Sequence, residues 1–196
     1  MPESDVFFKS ARLLPGFRQP KRWAAVLLVV LASSLTACGQ SAPGSSSSSM
    51  SAYDHMLRLL FKPTVPYIQP GELASLLQTK PEGVLLLDTR GAAEYRVSHL
   101  PGARFVEFNT FRETDLSAVP RTRPVVVYCS VGARSEQVGA WLREQGFRDV
   151  RNLYGGLFQW VNDGHEVVNA QGPTNQVHPY SVVWRPWLKR GVPTYE

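Results

Sequence analysis

Val125-Val126-Val127-Tyr128-Cys129-Ser130-Val131-Gly132-Ala133-Arg134-Ser135 is the stretch on which the fold turns. An apolar, β-branched run ends on a cysteine, a short loop containing Gly132 follows, and a helical pattern begins. A continuous apolar run is what a strand buried on both faces requires. The helix expected from Arg134 to Gln145 carries Val138, Trp141 and Leu142 on its inner face, and Gly146 stands where a C-terminal cap belongs. The arrangement puts a sulfur at the carboxyl end of a buried strand, faced by loop amides and the start of a helix.

The same alternation extends in both directions. Upstream, Ala52 to Phe61 has helical spacing, Tyr67-Ile68 is a short extended piece, and Pro70 to Leu77 is an amphipathic helix with Leu73, Leu76 and Leu77 inward. Val84-Leu85-Leu86-Leu87-Asp88 is a second fully apolar strand. A short helical stretch through Glu94-Tyr95 follows, and His99-Leu100-Pro101-Gly102-Ala103 turns the chain into Arg104-Phe105-Val106. Phe111 to Val119 reads as a weak helix or loop. Downstream, Val150 to Leu153 is a strand, and Gly155 to Asn162 is a helix with Leu157, Phe158 and Val161 inward. Strands alternating with helices imply a parallel sheet covered on both faces, and such sheets bind ligands at the carboxyl ends of their strands. Asp88 and Cys129 both lie at such ends. The tail 170–196, with Trp184, Pro186, Trp187 and Pro193, has no period and is expected to pack on the domain surface.

The front of the chain reads as an address. Residues 1–23 are basic, and Trp23 to Leu35 is almost wholly apolar, a length suited to a signal-peptide core and short for a membrane span. Leu35-Thr36-Ala37-Cys38 closes the run and resembles the lipobox of bacterial lipoproteins. That resemblance implies cleavage after residue 37, lipidation of Cys38 and a domain held at a membrane outside the cytoplasm. An uncleaved anchor helix or an ordinary signal peptide is the alternative. Residues 38–51 are Ser-rich and form a tether, so the domain proper is expected over 52–169. The formal charge of +5 is concentrated in the front segment; beyond residue 37 there are 16 basic and 14 acidic residues, a net of +2. That near-neutral balance gives no case for a nucleic-acid partner. The two cysteines, Cys38 and Cys129, could in principle pair, but lipidation would remove Cys38. Neither has a Cys or His at metal-ligand spacing, so no metal and no cofactor are expected.

Taken together, the 67–168 region resembles a single-domain rhodanese, a sulfurtransferase of the rhodanese-homology family. The resemblance rests on Leu86-Leu87-Asp88-Thr89-Arg90, Glu94-Tyr95, His99-Leu100-Pro101-Gly102-Ala103, Val127-Tyr128-Cys129 with Gly132, Arg134 and Ser135, and Leu153-Tyr154-Gly155-Gly156 with Trp160, in that order. It implies a three-layer α/β fold, a five-stranded parallel sheet with helices on both faces. It also implies a mechanism in which the Cys129 thiolate takes sulfur from a donor as a persulfide and yields it to a thiol, cyanide or protein acceptor. An ordinary thiol is mostly protonated at neutral pH, and loop amides with a helix start favour the charged sulfur. Ser130, Val131, Gly132 and Ala133 supply that cradle, Gly132 permitting its tight curl. Arg134 is expected to offer a fixed cation to the donor's oxygens.

Asp88 is either a pocket acid or, preferably, a turn-fixing residue. Arg90 contacts Glu94 or the pocket rim, and Ser135 supports the helix start. His99 and Trp160 are read as structural. Since Val131 and Ala133 are uncharged, Arg134 is the loop's lone cation, from which modest thiosulfate affinity and a thiol or protein persulfide partner are expected. Two other readings compete. A cysteine phosphatase or arsenate reductase would need a longer loop than the four residues between Cys129 and Arg134, and a tethered sulfur-carrier or docking module would need no turnover.

Overall fold

The computed structural model describes residues 51–60 and 63–195. The expected signal segment 1–37, Cys38 and all of the tether before Ser51 lie outside them.

Five strands form one parallel sheet: β1 (Tyr67–Ile68), β2 (Leu85–Asp88), β3 (Arg104–Phe105), β4 (Val125–Tyr128) and β5 (Val150–Leu153), in the order β1-β5-β4-β2-β3. The helices are α1 (Ala52–Leu60), α2 (Pro70–Thr79), α3 (Ala92–Val97), α4 (Ala133–Glu144) and α5 (Gly156–Asn162). The central strands are buried along their whole length because both faces are covered, as their unbroken apolar runs require. Strand periodicity divides their side chains. Leu86, Val126, Tyr128 and Leu153 face a core with Leu73, Leu157, Phe158 and Trp160. Leu85, Leu87, Val125, Val127 and Val150 face a second core with Phe111, Val138, Trp141 and Leu142. Each fully buried Leu, Val or Phe contributes about 1.5–3 kcal/mol relative to exposure.

Local signals set the helix ends. Pro70 opens α2 at its first position, where its missing N–H costs nothing. Helix α4 stops where Gly146 takes φ +88° and its N–H donates to the Arg143 carbonyl. The stretch expected as weak helix or loop over 111–119 contains the end of a 3₁₀ turn, Phe108–Glu113, followed by irregular chain.

The tail is more ordered than its lack of period suggested. An antiparallel hairpin, β6 (Val167–Asn169) and β7 (Gly172–Thr174), runs across the expected boundary at 169, so the tail is continuous with the domain. Strands β8 (Gln176–Val177) and β9 (Val192–Pro193) pair in parallel, and the strap between them packs Trp184, Trp187 and Leu188 on the first core. Asn162, the last residue of α5, clamps the strap by donating to the Trp187 carbonyl at 2.9 Å and accepting the Lys189 N–H at 2.7 Å. Because all sheet strands are parallel, the loops after β2, β4 and β5 gather along one edge.

Candidate active site

At that edge Cys129 is a free thiol, 1 % exposed. Its Sγ accepts the Gly132 N–H at 3.1 Å. The curl that aims this amide inward needs φ +107° at Gly132, a backbone region that a Cβ disfavours. Helix α4 begins at the next residue, so its positive end lies against the sulfur.

The loop is held from behind. The carbonyls of Cys129 and Ser130 accept the N–H groups of Leu157 and Phe158 at 2.9 and 3.0 Å, at the start of α5. Backbone approaches so closely there that a Cβ on Gly156 would collide with the Cys129 carbonyl and the Ser130 backbone. Asn152, fully buried on β5, fixes the far side. It donates to the Gly132 carbonyl (2.9 Å) and to Glu136 Oε2 (2.8 Å), and accepts the Ser135 hydroxyl (2.8 Å). Glu136 in turn accepts from the Thr64 and Val65 amides.

Arg134 meets a partner that the spacing of the loop did not reveal. Its Nη1 and Nη2 donate to Glu94 Oε2 and Oε1 at 2.6 and 2.7 Å, and Nη2 also donates to the Ser130 hydroxyl at 3.0 Å. Ser130 Oγ donates to Glu94 Oε1 at 2.8 Å, and Glu94 Oε2 also accepts the Gly91 N–H at 3.1 Å. Burial alone would raise the Glu94 carboxyl, but the hydrogen bonds and charge of Arg134, helped by Arg90, hold it below its ordinary value. For Arg134, burial works against the charge, and the Glu94 hydrogen bond and the neighbouring Cys129 outweigh it and raise its pKa. The expected open cation is therefore a neutralised ion pair, because α3 brings a buried carboxylate to the loop. Its guanidinium also lies 4.5 Å from the Tyr180 ring and 5.9 Å from that of Phe108.

Asp88 and Arg90 form a separate unit. Their side chains are fully buried and paired at 2.7 Å, and Asp88 Oδ1 also accepts the Arg90 N–H at 3.1 Å, a turn-fixing arrangement. Arg90 Nη2 also donates to the Ser98 carbonyl, the guanidinium bonds neither Glu94 nor the rim, and its buried Nη1 has no hydrogen-bond partner. His99 stacks on Tyr95 at 3.8 Å with Nδ1 beside the Tyr95 carbonyl, a packing role. Val131 is buried in the first core, and Ala133 opens α4.

Helix α1 packs beside the loop after β5. Tyr53 donates to the Gly155 carbonyl at 2.8 Å, and Tyr154 donates to Asp54 Oδ1 at 2.6 Å. Burial first, then the Asp54 hydrogen bond, push the Tyr154 phenol up to about 12.

Comparison with known proteins agrees with this geometry. A family profile of the rhodanese-like domain matches residues 69–163. A sulfurtransferase of Allochromatium vinosum is 38 % identical over 91 residues, which cover 46 % of this chain and 84 % of that protein. The chain belongs to the rhodanese-like family. A tRNA uridine(34) hydroxylase of Buchnera aphidicola shares 31 % identity over 102 residues, 50 % of this chain. Only 32 % of that hydroxylase is spanned, so the likeness is to one part of it. The crystal structure of the BH2092 protein from Bacillus halodurans superposes with a TM-score of 0.50 at 24 % identity, covering 62 % of this chain and 86 % of that one, and shows the same fold. Within the rhodanese-like frame, α1 and the strap after β8 lie outside the matched span, yet both reach residues around the cysteine loop.

Glu94, Asn152 and Glu136 are the residues that reading the sequence left out of the site. Asn152 carried a usable signal, an amide in an otherwise buried strand end. Glu94 was visible only as part of a motif.

Proposed function

We propose that this chain is a sulfurtransferase that moves sulfane sulfur from thiosulfate or a persulfide donor to a thiol or cyanide acceptor through a persulfide on Cys129. The Cys129 thiolate attacks the outer sulfur of the donor. The donor's S–S bond breaks, and sulfite, or the donor thiolate, leaves with the electron pair. The acceptor then attacks the terminal sulfur of Cys129–S–S⁻, and the Cys129 thiolate is regenerated. The observation that carries this reading is the cradle: a nearly buried Sγ receiving the Gly132 amide at 3.1 Å, at the start of α4, inside a loop of four residues before Arg134. A loop this short suits one added sulfur and is tight for a tetrahedral phosphate. Gly132, with Ser130, Val131 and Ala133, shapes that loop. Arg134 and Glu94 brace its mouth through Ser130. The Asp88–Arg90 pair and Ser135 support the strand end and helix start.

The same proposal puts the domain at a bacterial cell envelope, lipid-anchored at Cys38, on the strength of the apolar run and Leu35-Thr36-Ala37-Cys38. Thiosulfate:cyanide transfer measured beside phosphate-ester hydrolysis tests the activity. Transfer should dominate and vanish in Cys129→Ser; ester turnover exceeding sulfur transfer would overturn the reading.

A further inference from the structure

Tyr180 is the one non-glycine residue with positive φ among the described residues, at +62°. It lies on the strap between β8 and β9, outside the span shared with the rhodanese-like profile. L side chains adopt this backbone region at an energetic cost, so something must hold the residue there. Two contacts do: its N–H donates to His178 Nδ1 at 3.0 Å, and its ring packs 4.5 Å from the Arg134 guanidinium carbon. The strap is itself pinned to α5 through Asn162 and to α1 through the Tyr53–Trp187 ring pair at 5.7 Å. The ring is thus presented to Arg134 from an anchored support, while Tyr180 as a whole stays 50 % exposed.

An oxyanion donor needs something from Arg134, either its in-plane N–H groups or its flat face. Nη1 and Nη2 are directed to Glu94 and Ser130, which leaves the Nε–H and the second Nη1 hydrogen for an incoming anion. Tyr180 lies over the guanidinium and Phe108 stands 5.9 Å away, which leaves the Arg134 side chain 17 % exposed. We propose that Tyr180 is a specificity-determining residue, a screen over Arg134 that disfavours small anionic sulfur donors such as thiosulfate and favours organic thiol-borne persulfides. This inference rests on the sulfurtransferase reading and adds to it the residue that selects the donor class.

The test reads charge preference at the sulfur without requiring sulfur transfer. Cys129 of the full chain is alkylated with iodoacetate and with iodoacetamide, which differ chiefly in charge, and the modified Cys129 peptide is followed by mass spectrometry. Removing the ring in Tyr180→Ala is expected to raise the iodoacetate-to-iodoacetamide rate ratio about two- to five-fold, the range of an exposed cation–π contact. Tyr180→Asn, whose residue type tolerates a left-handed backbone, should do the same. Tyr180→Phe, which keeps the ring, should retain the wild-type ratio. A ratio unchanged in both ring-less variants, or two rates that rise equally, would overturn the proposal, the second outcome indicating access alone. Thiosulfate KM measured on the same variants should fall where the ratio rises, and stay at the wild-type value in Tyr180→Phe. An absence of sulfur transfer in every variant would strike the parent reading while leaving the alkylation result standing.

Discussion

Replacing Glu94 with Gln removes one charge from the pair that closes the cysteine loop and alters almost no volume. Taking one partner from a buried ion pair costs about 3–5 kcal/mol when the other stays fully desolvated. Arg134 keeps 17 % of its side-chain exposure, and Gln retains an acceptor oxygen, so the expected loss is at the lower side, about 2 kcal/mol. For a chain of this size that corresponds to a fall in Tm of about 4–8 °C. The pH dependence gives the reasoning a second check. The Glu94 carboxyl sits below its ordinary value in the fold, so its contribution is fully present above the unfolded-state value of about 4.3 and is lost as pH falls through the lower folded value. Thermal unfolding of wild type and Glu94→Gln should therefore show a wide Tm gap at pH 7 that closes in acid. The guanidinium, no longer neutralised, should also attract a donor oxyanion, lowering KM for thiosulfate. Equal Tm values at pH 7, or a gap that persists undiminished as pH is lowered well below 4, would refute the assigned role of the pair.

Three further outcomes follow from the geometry. In Gly132→Ala the new Cβ meets nothing nearer than 3.8 Å, so the cost is the backbone's alone, about 1–2 kcal/mol, with sulfur loading reduced as the amide turns from Sγ; calorimetry with persulfide quantification checks both, and unchanged loading would count against the cradle. Asp88→Asn leaves the Arg90 charge fully buried without its counter-charge and should cost about 3–5 kcal/mol in urea unfolding, a loss below about 1 kcal/mol contradicting the structural assignment. Tyr154, pushed up to about 12, stabilises the docking of α1 fully below its unfolded value of about 10, and that contribution is lost as pH rises through 12. The absorbance at 295 nm, corrected with Tyr154→Phe, should show this late titration, and Asp54→Asn should bring it down; a titration at the ordinary tyrosine value would remove the contact with Asp54.

The elements of the sheet were legible because strands buried on both faces have to be apolar throughout, and Val125–Val127 and Leu85–Leu87 are. The position of Cys129 was legible for the same reason, since a parallel sheet brings the carboxyl ends of its strands to one edge. Local spacing presents Arg134 as an open cation because its neutralising partner stands 40 residues away on α3, and nothing near it in sequence announces such a pair. Arg90 likewise has a register that places it inward on Asp88, a choice made by packing and not by composition. Asn152 could have been singled out, because an amide at a fully buried strand position must spend its hydrogen bonds on protein. The strap that carries Tyr180 has no periodicity to read; it is ordered by side-chain anchors on Asn162 and by the paired strands β8 and β9.

The central claim is that Cys129 carries sulfur. Intact-mass measurement of the protein before and after incubation with thiosulfate, or with an organic persulfide where thiosulfate reacts slowly, tests it directly. The account predicts a gain of about 32 Da that is discharged by cyanide and absent in Cys129→Ser. No adduct from either donor on the wild-type chain, or an adduct that survives in Cys129→Ser, would contradict it.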